Sequence, residues 1–151
     1  SGTRRSRLVT AGPARRHGRV GFFARDYGGL PLADDRANLG RRGEKLARKF
    51  LEKLGYRTIV RNYRCPAGEL DLISLDQRSI VFVEVKTRRS EEAADVERAV
   101  NPAKQRQLMR VARYYLASTP TARRYPCRFD VVGIVCSDNG NTEIRHIRDA
   151  F

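Results

Sequence analysis

Cysteine and histidine are scarce in this chain, which limits the kinds of site that it can form. Three cysteines stand among 151 residues, an odd number that makes a poor disulfide framework. No two of them form a Cys-x-x-Cys pair, so we do not expect a zinc site. Reduced thiols of this kind are typical of the cytoplasm. The two histidines, His17 and His146, have no partner at metal-site or triad spacing and are interpreted as incidental.

Long apolar runs and acidic residues are also few. No stretch is long enough to span a membrane, and the Arg-rich N-terminus lacks the hydrophobic segment of a secretory signal. Lys and Arg number 31 against 17 Asp and Glu, which gives a formal net charge of +14. Such an excess predicts a polyanionic partner, and nucleic acid is the commonest one. The alternative is a basic surface without such a partner.

The N-terminal quarter of the chain differs from the rest. Residues 1–37 carry many Arg among scattered Gly and Pro, and no sustained helical or alternating pattern appears in them. We interpret this segment as a flexible basic arm and residues 38–151 as one folded domain. The arm either holds nucleic-acid phosphates weakly or has no role.

The folded domain is predicted to be α/β, with a mixed sheet flanked by helices. Apolar periodicity and turn residues give the order helix, three strands, helix, two strands. The predicted helices span about 38–54 and 101–118, each with an Asn as its N-cap, and the strands span 56–63, 69–75, 80–86, 128–136 and 143–148. Residues 87–100 are charged and are predicted to form an irregular loop.

The chemistry is predicted at the hairpin of the second and third strands. Alternate residues of a strand share a face, and a two-residue turn would pair Ile73 with Phe82. Apolar residues then face apolar residues, which supports this register. The same register pairs Asp71 with Glu84 and leaves Lys86 one step beyond. Directly opposed residues have Cβ atoms about 4.5–5.5 Å apart, so the two carboxylates are predicted to meet.

Two facing carboxylates destabilise a sheet unless a cation lies between them. Hard oxygen ligands suit Mg²⁺ or Mn²⁺, and the ammonium group of Lys86 would orient or deprotonate a water and stabilise charge on a phosphate. The alternative is an ordinary salt-bridged strand edge made of Glu69, Asp71, Glu84 and Lys86. The metal site is favoured because Glu84 interrupts a strongly apolar run and because the surrounding chain is basic.

Several motifs resemble the uncharacterised bacterial YraN family, and together they cover roughly residues 38–151. The residues that carry the resemblance are Gly40-x-x-Gly43-Glu44-x-x-Ala47, Gly55-Tyr56, Asn62-Tyr63-Arg64, Gly68-Glu69-Leu70-Asp71-Leu72-Ile73, Val81-Phe82-Val83-Glu84-Val85-Lys86-Thr87-Arg88, Ala99-Val100, Lys104-Gln105, Tyr115-Leu116, Arg128-Phe129-Asp130-Val131-Val132 and Ala150-Phe151. This family is similar to the PD-(D/E)XK, restriction-endonuclease-like proteins, and among them to archaeal Holliday-junction resolvases.

The resemblance implies roles for the acidic residues. Asp71 takes the D position, Glu84 the (D/E) position and Lys86 the K position, while Leu70 stands where the motif has Pro. Resolvases also carry a helical glutamate, which Glu44 matches as a further metal ligand. Without the resemblance, Glu44 is interpreted as a surface charge at the margin of the first helix's apolar face.

The resemblance also implies residues that act on the substrate. Gln105 would orient it from the second helix, and Arg88, Arg89 and Lys104 would contact phosphates. Asp130 is interpreted as structural, paired with a nearby Arg. The sequence thus predicts a Mg²⁺- or Mn²⁺-dependent nuclease. The resemblance implies DNA, branched or otherwise structured, as its substrate and allows a homodimer. The alternative is a nucleic-acid-binding module or accessory subunit that keeps the fold without catalysis.

Overall fold

The computed structural model describes residues 11–16, 19–25, 35–98 and 100–151, the first two ranges by their backbone alone. In these residues the α-helices are α1 (Arg36–Lys53), α2 (Asp95–Arg98) and α3 (Pro102–Ser118). The strands are β1 (Ala11–Arg16), β2 (Arg19–Arg25), β3 (Arg57–Cys65), β4 (Gly68–Asp76), β5 (Ser79–Arg89), β6 (Cys127–Cys136) and β7 (Thr142–Ile147). None of the described helices combines the length and apolar character that a bilayer crossing needs.

The strands form one mixed sheet in the order β1-β2-β7-β6-β5-β4-β3. Strands β5 and β6 run parallel, and the other neighbouring pairs are antiparallel. The predicted mixed α/β fold is confirmed, and its two long helices and five strands occur in the predicted order. The parallel pair lies at the centre of the sheet, with helices on both faces.

Apolar side chains cover both faces of the central strands. One cluster packs against α1, and its sheet residues include Leu72, Val81, Val83, Val85, Val132 and Ile134. The other packs against α3, and its sheet residues include Leu70, Ile73, Ile80 and Phe82. Because both faces are covered, a charged side chain in these strands needs a partner to offset its loss of hydration.

Helix α1 begins earlier than the sequence indicated. Its N-cap is Asp35, whose Oδ1 accepts the backbone N–H of Asn38 at 2.7 Å, so the prediction of Asn38 as the cap was wrong. Asp and Asn both cap helices well. Arg36 and Ala37, which lie between them, carry no apolar pattern that would show at which of the two positions the helix begins. The helix therefore starts inside the segment that was assigned to the arm. Its buried residues lie on one face at helical spacing and are Leu39, Gly43, Ala47, Phe50 and Leu51.

Two strands precede α1, and the sequence analysis did not predict them. Strand β1 pairs with β2, and β2 pairs antiparallel with β7. Residues 19–25 hold only a few strand-forming side chains among Gly and Arg, too weak a pattern to identify a strand that depends on a distant partner. The remainder of the predicted arm, including His17, lies outside the described residues.

The segment after β5 is more regular than the sequence suggested. Strand β5 continues to Arg89 because its ladder with β6 extends to the pair Arg89–Cys136. A short 3₁₀ helix and α2 follow before α3 begins. The prediction of an irregular loop over 87–100 was therefore wrong in this part. The charged end of β5 resembles a loop by composition, and only its distant parallel partner makes it a strand.

A buried polar network joins the strands β6 and β7 with Tyr56, the residue before β3. The Asp130 carboxylate accepts from Arg128 Nε at 3.0 Å and from the Tyr56 hydroxyl at 3.2 Å, and it lies 2.9 Å from His146 Nε2. The predicted pairing of Asp130 with a nearby Arg is confirmed. His146 is 1% exposed and belongs to this network, so its interpretation as incidental was wrong. Its partner comes from another strand, which sequence spacing does not reveal.

Candidate active site

The hairpin of β4 and β5 has the predicted register over most of its length. The ladder runs from the pair Asp76–Ser79 to the pair Leu72–Val83, with Ile73 opposite Phe82. The predicted pairing is thus confirmed for its apolar part.

Beyond Leu72 the ladder gives way to a side-chain contact. The Oδ2 atom of Asp71 accepts the backbone N–H of Val85 at 2.7 Å, so the predicted Asp71–Glu84 backbone pair is replaced by this bond. The alternation of β4 also changes here, because Leu70 packs with the α3 cluster whereas Leu72 packs with the α1 cluster. In a regular strand these two residues would share a face. Asp71 therefore lies at the point where the side-chain alternation of β4 is interrupted.

Glu84 is the most deeply buried carboxylate of the hairpin, with 4% of its surface exposed. Its Oε1 atom lies 3.0 Å from Lys86 Nζ and 3.2 Å from Lys104 Nζ. Lys86 comes from the same strand and Lys104 from the first turn of α3. Two ammonium groups thus offset the cost of burying one carboxylate.

Two carboxyl groups at this end of the hairpin have a raised pKa, because they are buried near further carboxylates. The pKa of Asp71 is raised to about 7 by burial, then by the charges of Glu84 and Glu44, although the bond from Val85 lowers it. The pKa of Glu44 is also raised, by burial first and then by Glu69 and Glu84. We call these four acidic residues (Glu44, Glu69, Asp71 and Glu84) the acidic site. Their mutual repulsion favours a proton or a cation among them.

A divalent cation fits the acidic site by its donor chemistry. Carboxylate oxygens are the ligands that Mg²⁺ and Mn²⁺ prefer. A cation would offset both the burial and the repulsion that raise the pKa of Asp71. Among the described residues, no three Asp, Glu, His or Cys side chains lie close enough together to hold a metal ion as they stand. The carboxylates would therefore have to close around an ion, and Glu84 would have to exchange a lysine for it.

A close contact between α1 and β5 brings Glu44 to the site. A Cβ atom at Gly43 would lie 1.9 Å from Thr87 Oγ1, so only glycine allows this approach. Glu44 follows Gly43 and lines a groove together with Asp71. The predicted association of Glu44 with the hairpin carboxylates thus follows from the packing of the helix.

Two openings flank the acidic site. The α1–β3 groove has a volume of about 240 Å³, and its lining includes Arg41, Glu44, Arg64 and Asp71. The β5 cleft is larger, at about 440 Å³, and its lining includes Arg36, Lys86, Arg88, Arg89 and Glu92. Arginines stand in both openings beside a carboxylate centre, an arrangement that suits a phosphodiester backbone better than a neutral ligand.

The residues predicted to act on the substrate divide into three groups. Arg88 and Arg89 line the β5 cleft, where a phosphate is able to reach them. Lys104, predicted as a phosphate contact, instead bonds Glu84. Gln105 is not brought to the carboxylates, because its Nε2 donates to the carbonyl of Val100 at 3.1 Å. Its role in orienting a substrate stays a prediction.

Two features of the site were not predicted: the action of Glu69 on Glu44, since Glu69 was assigned only to the salt-bridged alternative, and the contact of Lys104 with Glu84. Glu69 acts electrostatically on Glu44 and pairs with Arg64 at 3.2 Å. The alternation that selected Asp71 already put Glu69 on the same face, so that signal was present. The bond from Lys104 to Glu84 had no signal, because it depends on how α3 crosses the sheet.

Comparisons with known proteins identify relatives of the chain. The model of the uncharacterised protein family UPF0102 matches residues 43–134. A UPF0102 protein of Nitrosococcus oceani is 46% identical over 112 residues, which are 74% of this chain and 90% of that protein. A UPF0102 protein of Geotalea uraniireducens is 44% identical over 117 residues, 78% of this chain and 91% of that protein.

Among solved structures, the chain is similar to Pyrococcus furiosus SfsA in complex with Ca²⁺. The two sequences are 18% identical, and the TM-score is 0.37. The match covers 83% of this chain and 74% of SfsA.

Proposed function

This chain belongs to the uncharacterised protein family UPF0102 (YraN), and we propose that it is a metal-dependent nuclease that hydrolyses phosphodiester bonds of DNA. The family is in the restriction-endonuclease-like superfamily. The observation that carries the proposal is the electrostatic coupling of Asp71, Glu84 and Glu44 beside Lys86. Buried carboxyl groups whose pKa is raised by burial and by neighbouring carboxylates, as for Asp71 and Glu44, are typical of sites that bind a cation for catalysis.

The proposed chemistry assigns a task to each side chain. Glu44, Asp71 and Glu84 would hold a Mg²⁺ or Mn²⁺ ion, which when bound activates water and neutralises charge on the phosphate. The Lys86 ammonium, 3.0 Å from Glu84, would donate a hydrogen bond to the attacking water and orient it. The same positive charge stabilises the negative charge that develops on the phosphate.

The basic residues around the acidic site support a polyanionic substrate. Arg88 and Arg89 stand in the β5 cleft, and Arg41 and Arg64 in the α1–β3 groove. A DNA backbone that crosses the acidic site would meet arginines on both sides. DNA rather than RNA, and a branched or otherwise structured form, follow from the family resemblance and are part of the proposal.

A cleavage assay with a matched control tests the proposal. Wild-type protein should cut at least one of branched, flapped and single-stranded DNA with Mg²⁺ or Mn²⁺, and EDTA should stop the reaction. Asp71→Asn should cut about 100-fold more slowly or not at all, because it removes a ligand charge. Asp138→Asn alters an exposed turn carboxylate and should behave as wild type. Equal rates for wild type and Asp71→Asn on every substrate would refute the catalytic assignment.

A second function is favoured by the two lysines on Glu84. They already offset its charge, so the chain is able to serve as a nucleic-acid-binding module or accessory subunit without a metal. In that case calorimetry detects no binding of Mn²⁺, and Glu84→Gln leaves both DNA affinity and the activity of any complex unchanged. Binding of Mn²⁺ that is lost in Glu84→Gln would decide for the nuclease.

Two further parts of the proposal concern the whole chain. A cytoplasmic location is suggested by the use of cysteine, and assembly as a homodimer by the similarity to resolvases. Light scattering of the purified chain, with and without DNA, tests whether it forms a homodimer. A mass of one chain under both conditions would remove the homodimer from the proposal.

A further inference from the structure

The contact between Lys104 and Glu84 is not explained by the proposed chemistry. Glu84 Oε1 lies 3.0 Å from Lys86 and 3.2 Å from Lys104, so two ammonium groups share one oxygen. Both lysine side chains are 25% exposed, whereas that of Glu84 is 5% exposed. One lysine already matches the charge of Glu84. The second therefore calls for a reason of its own.

The stability of α3 does not supply that reason. Asn101 is the N-cap of α3, and its Oδ1 accepts the backbone N–H of Lys104 at 2.9 Å. Lys104 thus stands in the first turn, where the positive end of the helix dipole disfavours a cation. The first turn contains no acidic residue that would offset this cost. The favourable partner of the Lys104 ammonium is Glu84, on the strand below.

We propose that Lys104 is a positioning residue that acts as the counter-ion of Glu84 in the absence of a metal and is displaced when an ion binds. The inference rests on the proposed function, in which Glu84 is a metal ligand. The ion and Lys104 compete for the same Oε1 atom, so Lys104 weakens metal binding while it holds Glu84 in place. Lys86 remains beside the carboxylate after the exchange, because it extends from the same strand.

Calorimetry with Mn²⁺ on the 151-residue chain tests the competition. Lys104→Met should bind Mn²⁺ about tenfold more tightly than wild type, because a partly screened positive charge within hydrogen-bond distance is removed. Lys104→Arg keeps the charge and should stay near the wild-type affinity. Arg110→Met removes an exposed charge from the same helix and should have little effect. An affinity of Lys104→Met equal to or weaker than that of wild type would overturn the inference.

A double-mutant cycle in EDTA tests whether Lys104 acts through Glu84. Lys104→Met should lower the melting temperature of the protein with Glu84 and leave it unchanged in the Glu84→Gln background. An equal shift in both backgrounds means that Lys104 does not act through Glu84, and the inference fails. If wild type and Lys104→Met both fail to bind Mn²⁺, the proposed function fails as well. If both bind it equally, only the inference about Lys104 fails.

Discussion

The ionised carboxylate of Asp71, which the proposed activity needs, lowers the stability of the metal-free protein. Its pKa is raised to about 7 by burial and by the charges of Glu84 and Glu44. The folded state therefore binds the Asp71 proton more tightly than the unfolded state, and the stability that this gives is full below about pH 4 and is lost as the pH rises to about 7. At neutral pH without a metal, the ionised Asp71 costs free energy of folding.

The substitution Asp71→Asn should therefore stabilise the metal-free protein at high pH. Asparagine keeps an oxygen that accepts the Val85 N–H and carries no charge. Without a metal, we expect Asp71→Asn to exceed the stability of wild type by about 1–3 kcal/mol at pH 8 and to lose most of that advantage near pH 4. Urea unfolding in EDTA at both pH values measures this difference. A difference independent of pH would contradict the raised pKa of Asp71.

At the residue scale, contacts within one strand were easier to predict from the sequence than contacts between α3 and the sheet. Glu84 and Lys86 lie together because alternate residues of one strand share a face, which is a short-range rule. Asp71 departs from the alternation of β4 and instead accepts the Val85 N–H. Lys104 and Gln105 stand on α3, and their contacts depend on how the helix crosses the sheet. No local pattern contains that information. Lys104 was predicted to contact phosphate, and the structure instead places its ammonium group beside Glu84.

At the element scale, the contact of α1 with β5 sets the position of Glu44. Gly43→Ala would bring a Cβ atom to 1.9 Å from Thr87 Oγ1, so the helix would have to move away from the strand. We expect a loss of about 1–3 kcal/mol of stability, measured by urea unfolding, and weaker Mn²⁺ binding because Glu44 moves with the helix.

Two further variants control this prediction, one at a glycine of α1 that has no close neighbour and one at Thr87. Gly40 has no atom within 4 Å of an added Cβ, so Gly40→Ala should stabilise the protein by about 0.5–1 kcal/mol through helix propensity. Adding Thr87→Ala to Gly43→Ala removes the Oγ1 atom and should restore part of the stability. A Gly43→Ala variant as stable as Gly40→Ala would show that α1 does not lie this close to β5.

The elements differ in how far the sequence predicted them. The turn of the β4–β5 hairpin and its apolar pairs fixed the register from Asp76–Ser79 to Leu72–Val83. Strand β2 pairs with β7, more than a hundred residues later in the chain, and its own composition is a weak signal. Long-range pairing decides such strands, and a local pattern does not.

At the scale of the whole molecule, the net charge of +14 should govern binding to nucleic acid. The affinity for a DNA oligonucleotide, measured by fluorescence anisotropy in EDTA, should fall at least about 100-fold between 50 and 200 mM salt. Arg88→Gln and Arg89→Gln should each reduce the slope of log affinity against log salt by about 1. Arg110→Gln on the outer side of α3 serves as the control. A flat salt dependence would contradict a phosphate-binding surface.

The central claim is that the carboxylates of Asp71 and Glu84 share a divalent cation, and a crystal structure in Mn²⁺ tests it most directly. We expect an anomalous difference peak within about 2.5 Å of an oxygen of each residue, with Lys104 withdrawn from Glu84. Crystals at saturating Mn²⁺ that show both lysines still on Glu84 and no ion beside Asp71 would contradict it.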